Sequence, residues 1–169
     1  MTNLLDDAFR HHAWANDRIL EACANLTPEQ LTAPVPGTFG PILDTLRHLI
    51  GSDNWYLWVI TDGRHPEIDE DNAGIPELQA GAKLAAKGWA DLLAGDVDPD
   101  AMTIRRGEDW EFHAPLGVRL AQAIHHGTDH RSQVCTGLTS LDIEPPDIDL
   151  WAWAEATGRA REVRLAPTE

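Results

Sequence analysis

The longest helical pattern in the sequence is PLGVRLAQAIHHGTDHRSQVCTGL, residues 115–138. At about 100° per residue, its apolar side chains form one stripe along a helix. His126 and His130 lie one turn apart on a flank of that stripe, whereas His125 points to the solvent side. The pattern predicts a long helix that packs against a core and carries two histidines at the edge of its buried face.

Three further helical patterns predict an all-α fold, an antiparallel four-helix bundle. The predicted long helices cover residues 4–26, 41–62, 76–93 and 115–138, and a short one covers residues 149–159. Residues 33–40 and 63–74 are predicted loops, and a weak alternation over residues 102–113 predicts a short hairpin before the last long helix. Because the chain has 169 residues and no linker or repeat, we expect one domain over residues 1–169.

Composition excludes several classes of protein. Thirteen basic and 28 acidic side chains give a formal charge of −15, which repels nucleic acid and anionic lipid. No apolar run has the length of a membrane helix, and the N-terminus lacks a signal peptide pattern. Two cysteines are too few for a disulfide scaffold. We therefore expect a cytoplasmic protein that binds neither nucleic acid nor membrane and acts on a small molecule.

A third histidine suggests a metal site. On the predicted second helix, His48 also lies on a flank of the apolar stripe, and facing flanks of two helices converge in a bundle. His48, His126 and His130 would then form a three-histidine site for one divalent cation, with open positions for water or substrate. The alternatives are an incidental pair of surface histidines on one helix and a hydrogen-bonded core histidine at position 48.

Four other polar residues fall on buried helix faces. His12 and Asn16 lie on the apolar face of the first helix, where a hydrogen-bonded core histidine is the favoured interpretation. Asp53 and Arg131 also point inward, and we expect them to pair with each other because a buried arginine needs a partner. Alternatively, Asp53 orients His48 as a carboxylate behind a metal ligand.

Two residues are candidates for a catalytic or substrate-contacting role. One is His12, and the other is Arg119, which shares a helix flank with His126 and could bind an anionic substrate. A solvated helix face is the favoured interpretation for Arg119. His65 and His113 lie in loop contexts and are expected in solvent.

Four short motifs, spread over nearly the whole chain, point to a known family. They are Ala13-Trp14-Ala15-Asn16, Leu46-Arg47-His48-Leu49 followed by Trp55, His126-Gly127-Thr128-Asp129-His130-Arg131-Ser132-Gln133, and Pro145-Pro146-Asp147-Ile148-Asp149. In order and spacing they resemble the DinB family of metal-dependent four-helix bundles. The resemblance implies an up-down-down-up bundle, a divalent metal on the three histidines, and a homodimer.

The resemblance also implies a range of activities. The family includes thiol S-transferases that use bacillithiol and maleylpyruvate isomerases that depend on mycothiol. Ser132 stands where the family usually has glycine, and His11-His12 stands where aromatic and amide residues are common, so the subfamily stays open.

Three neutral imidazoles leave the charge of a divalent ion uncompensated, so the ion can acidify a bound thiol or water. Imidazole ligands suit zinc, nickel, iron and copper alike. We expect zinc or nickel, and the resemblance implies a low-molecular-weight thiol as co-substrate. The predicted function is a metal-dependent S-transferase or related isomerase that acts on a small electrophile. The alternatives are a metal-dependent hydrolase and a non-catalytic metal- or ligand-binding bundle.

Overall fold

The computed structural model describes residues 4–164, and most of them form helices. In chain order the elements are α1 (Leu4–Cys23), α2 (Pro28–Thr32), α3 (Ile42–Ile60), α4 (Ile75–Leu93), β1 (Met102–Arg106), β2 (Glu111–Pro115), α5 (Leu116–Ser140) and α6 (Leu150–Ala156). The predicted long helices and the hairpin before the last of them are confirmed. None of the helices in this range has the length and hydropathy that crossing a membrane requires.

Two helix ends differ from the prediction by three residues, each for a local reason. The first helix ends at Cys23 instead of residue 26, because a turn follows it before Thr27 caps α2. The Thr27 hydroxyl accepts from the Gln30 backbone N–H, and the Gln30 side chain accepts from the Thr27 backbone N–H. Helix α6 ends at Ala156 instead of residue 159, since Gly158 takes a left-handed conformation at φ 72° that stops the helix.

The four long helices form a bundle in which α1 and α3 each pack on both α4 and α5. Ile42 lies against Gly137 near one end of the α3–α5 contact, and Tyr56 bonds Gln122 near the other, so these helices are antiparallel. Helix α4 is parallel to α3, as the pairs Ile50–Gly81 and Leu57–Gly88 show. It is antiparallel to α1, as the pairs Phe9–Trp89 and Asp17–Lys83 show. The bundle therefore has the up-down-down-up topology that the resemblance implied.

The core consists of two apolar clusters with a polar layer between them. One cluster includes Ile19, Leu46, Leu49 and Leu138, and the other includes Phe9, Leu57, Trp89 and Leu120. The polar layer comprises His12, Asn16, Asp53 and Arg131, each 3% exposed or less. Along α1, α3 and α5 these residues lie between members of the two clusters, so the polar contacts cross the middle of the bundle.

The hairpin leads directly into α5. Strands β1 and β2 are antiparallel, with Thr103 opposite Ala114 and Arg105 opposite Phe112. Because side chains alternate between the faces of a strand, these four residues share one face of the hairpin. Thr103 on that face bonds Arg119 of α5, so the hairpin covers the first turns of the helix.

The expectation that His65 lies in solvent is wrong. The loop after α3 folds back so that His65 is 9% exposed, with its Nε2 2.9 Å from Oδ1 of Asn54. A Cβ at Gly88 of α4 would lie 2.9 Å from the imidazole Cε1, so the ring fits only because this position is glycine. Burial lowers the pKa of His65 from its ordinary value of 6.5.

The buried His65 predicts an acid-sensitive contribution to stability. Below its ordinary pKa of 6.5, the unfolded chain binds a proton at this position more readily than the folded chain does. The free energy of unfolding should therefore fall as the pH drops through that value. His65→Gln keeps a donor for Asn54 but cannot titrate, so the variant should lose less stability between pH 7.5 and pH 5.5 in urea titrations. Equal losses in both proteins would contradict the prediction.

Candidate metal centre

The structure brings the three predicted ligands together. His48 of α3 faces His126 and His130 of α5, and one ligand atom from each lies within 4.8 Å of the other two. The two Nε2 atoms of His48 and His126 are 3.2 Å apart. The helix flanks identified from periodicity therefore converge, and metal binding by these residues stays a prediction.

Two of the histidines are oriented by hydrogen bonds at their Nδ1 atoms. Nδ1 of His48 is 2.8 Å from Oε1 of Glu70, and Nδ1 of His130 is 3.1 Å from Oε1 of Gln133. Because a carboxylate and an amide oxygen accept hydrogen bonds, each Nδ1 is the protonated nitrogen. The lone pair of each ring is then on Nε2, which is the arrangement that metal-binding histidines use.

Glu70 was missed by sequence reasoning, which offered Asp53 as the carboxylate behind His48. Glu70 comes from the acidic loop between α3 and α4, and no periodicity marks it. It can lie against α3 because Gly51, three residues after His48, has no side chain. A Cβ there would be 2.6 Å from Oε2 of Glu70.

Phe39, also missed, packs over the cluster. Its ring stacks on His48 with centroids 4.2 Å apart and planes 2° apart, and it meets His130 edge-on. The Phe39 backbone N–H donates to Oε1 of Gln133 at 2.9 Å, the same oxygen that accepts from His130. The loop before α3 is thus tied to α5 beside the histidines.

Burial lowers the pKa values of two of the three histidines, His126 and His130. Desolvation is the largest cause that lowers the pKa of His126 to about 4, and His130 and His48 lower it further. The pKa of His130 is lowered mainly by desolvation, with a further contribution from His48. At neutral pH both rings are therefore unprotonated, which is the form that binds a metal ion.

The polar layer lies directly behind this cluster. Nε2 of His12 is 2.7 Å from Oδ2 of Asp53, and Asn16 donates to the same oxygen at 3.0 Å. Nη1 of Arg131 donates to Oδ1 of Asn16 at 2.8 Å and to Nδ1 of His12 at 3.1 Å. Because a guanidinium can only donate, Nδ1 of His12 accepts from Arg131 and Nε2 donates to Asp53. The expected direct Asp53–Arg131 pair is wrong, because His12 and Asn16 lie between the two charges.

The polar layer also sets the position of α5. A Cβ at Gly127 would lie 2.3 Å from Cε1 of His12, so only glycine lets the imidazole reach the helix backbone between His126 and His130. His12 is 1% exposed, and all its hydrogen bonds are to the network. Its position supports the core interpretation over contact with substrate.

The structure buries Arg119 and exposes His125 and His113. The expectation that Arg119 is solvated is wrong: it is 5% exposed, because the hairpin covers it. His125 and His113 are exposed, as expected. Two clefts on other parts of the surface, one between α1 and α4 and one between α1 and α5, contain none of the three clustered histidines.

Removing the imidazole of His12 should lower the free energy of unfolding. His12→Leu leaves the buried Asp53 without its closest donor and Arg131 without one acceptor, so we expect a loss of about 3–5 kcal/mol in the free energy of unfolding. The exposed His125→Leu variant is the control and should change it by less than about 0.5 kcal/mol. Urea unfolding measures both, and similar values for the two variants would contradict the role of the network.

Comparison with known proteins is consistent with this site. No curated protein matches the chain. A family model described as the DinB family matches residues 1–163 of the 169 residues. The matched range includes the four long helices, the hairpin and all three clustered histidines. The chain therefore belongs to the DinB family.

Proposed function

We propose that this protein is a metal-dependent enzyme that uses a low-molecular-weight thiol on a small electrophile, as an S-transferase or a related isomerase. The observation that carries the proposal is the convergence of His48, His126 and His130, two of them oriented from behind by Glu70 and Gln133. Membership in the DinB family supports it.

The residues present fit a divalent cation. The three ligand candidates are imidazoles, with two Nε2 lone pairs set by hydrogen bonds and two pKa values lowered by burial. Imidazole donors suit zinc and nickel. When bound to three neutral ligands, such an ion supplies the positive charge that makes a thiol or water nucleophilic at neutral pH.

Other side chains shape the surroundings of the histidines. Phe39 covers one side of His48, and the Tyr56 ring meets His126 with centroids 5.8 Å apart. Nε2 of Gln122 donates to the Tyr56 hydroxyl at 3.3 Å, and burial raises the pKa of that hydroxyl. Tyr56 thus keeps its proton at neutral pH and can donate it to an oxygen of a substrate beside the cluster.

The chain's own thiols are poor nucleophiles, which favours a thiol from outside. Burial raises the pKa of Cys23 to about 12 and also raises that of Cys135. A thiol with a raised pKa has little of the reactive thiolate form at neutral pH. The small-molecule substrate, the homodimer and the cytoplasmic location belong to the same proposal.

Metal binding can be tested without an activity. We expect the purified protein to hold about one divalent ion per chain, zinc or nickel, and His130→Ala to hold much less. His125→Ala is the matched control, because it removes an exposed imidazole from the same helix and should leave the metal content unchanged. Elemental analysis measures all three proteins. Equal metal in the native protein and His130→Ala would contradict the site.

The activity has its own test. Metal-loaded protein should conjugate a chromogenic electrophile with at least one of glutathione, cysteine, bacillithiol or mycothiol. Chelated protein and His126→Ala should be slower by about a hundredfold, since each lacks the acidifying ion. A metal-dependent hydrolytic rate without thiol would favour the hydrolase instead. No turnover across the panel, with metal bound, would favour the non-catalytic binding protein.

A further inference from the structure

A buried arginine of α5, two turns before His126, has no acidic partner among residues 4–164. Arg119 is 5% exposed, and its Nε donates to the Thr103 hydroxyl, while Nη2 is 3.5 Å from the Phe112 carbonyl oxygen. No carboxylate within residues 4–164 pairs with it. The other buried arginine, Arg131, shares its network with Asp53. Burying a guanidinium without a counter-charge is costly unless a ligand supplies one.

A second arginine, Arg105, lies on the same face of the hairpin as Thr103, the residue that accepts a hydrogen bond from Arg119. The Arg105 guanidinium carbon contacts two indole rings, 4.9 Å from the Trp55 centroid and 4.8 Å from the Trp110 centroid. Cation–π contact with two rings restricts a guanidinium without using its N–H donors. In the part of the chain that the structure describes, nothing accepts from those donors. The side chain is therefore held in place with its hydrogen-bonding edge free.

Arg105 and Arg119 carry positive charge side by side on an acidic chain. There are 28 acidic side chains for 13 basic ones, and nearby Arg106 bonds Glu111 while Arg159 bonds Asp7. Arg105 and Arg119 instead lie close enough to repel each other, and this repulsion adds to burial in lowering the pKa of Arg119. Two adjacent guanidiniums on an otherwise acidic protein make a local positive site that attracts small anions.

Arg119 lies on the same flank of α5 as the histidine cluster. Arg119 and His126 are seven residues apart on one flank of α5, which is about 10 Å along the helix axis. Gln122 lies between them on that flank and bonds the Tyr56 hydroxyl, and Trp55 contacts Tyr56 with ring centroids 5.4 Å apart. A ligand about 10 Å long could therefore touch both ends.

We propose that Arg105 and Arg119 form an oxyanion subsite that binds a carboxylate or phosphate of the substrate while its reactive end lies at the three histidines. The fork of N–H donors on each guanidinium matches the oxygens of either anion. The subsite deepens the proposed function and rests on it, since it assigns the small electrophile or its thiol partner a negative charge about 10 Å from the reacting atom.

The test measures anion binding to chelated protein, so that no metal ion can bind the anion. The probes are hexanoate, hexyl phosphate and the neutral hexanol, followed through the indole N–H resonances of Trp55 and Trp110. We expect at least one of the two anions to bind about tenfold more tightly than hexanol, because an anion makes charge-assisted hydrogen bonds to a guanidinium and hexanol cannot. The tighter of the two anions identifies the group as carboxylate or phosphate.

Two variants locate the anion. Arg105→Met removes an exposed charge without touching the core, and Arg119→Lys keeps the charge but loses the fork; each should weaken anion binding about tenfold. Arg18→Met is the matched control, since Arg18 also stacks on an indole, that of Trp14 at 5.7 Å, on a different helix. It should bind the anions as the native protein does.

Three results would overturn the subsite: no anion binding, hexanol binding as tightly as both anions, or native affinity in both Arg105→Met and Arg119→Lys. The proposed function fails separately. If metal-loaded protein shows no turnover, anion binding to the chelated protein still stands. If turnover is intact but anion binding is absent, only the subsite is wrong.

Discussion

A carboxylate in the middle of a helical bundle needs hydrogen-bond donors, and Asp53 is 2% exposed. Its donors come from α1, where His12 and Asn16 bond it, and these two in turn accept from Arg131 of α5. Three helices are thereby fixed in rotation and register relative to one another, since any slip would leave a buried charge unpaired. The apolar clusters above and below this layer supply burial, while the polar layer specifies the alignment.

That alignment has a direct consequence for the histidines. Gly127 and Arg131, which contact His12, are each one residue after a clustered histidine on α5. The contacts of Gly127 and Arg131 with His12 therefore fix the rotation of α5. That rotation places His126 and His130, on the other flank of the helix, opposite His48. The loops complete the arrangement: Glu70 orients one ring, and Gln133 orients another while holding the loop that carries Phe39. The position of the three histidines thus depends on polar contacts in the core of the bundle.

Helical periodicity predicted the bundle and the convergence of the histidines, because the phase of a residue within a helix sets the face on which it lies. It could not predict what covers that face. Glu70 lies in a loop without a pattern, Arg119 is buried by a hairpin and His65 by a returning loop; all three depend on tertiary packing. The Asp53–Arg131 pairing failed for a related reason: phase showed that both point inward, but not which side chains lie between them.

X-ray absorption spectroscopy of the zinc-loaded protein tests whether the three imidazoles bind one metal ion. We expect a first coordination shell with three imidazole nitrogens at about 2.0–2.1 Å and an additional light ligand. Multiple scattering from the rings should identify the nitrogens as histidine. A sulfur shell at about 2.3 Å, or a shell of oxygen atoms without imidazole scattering, would contradict this expectation.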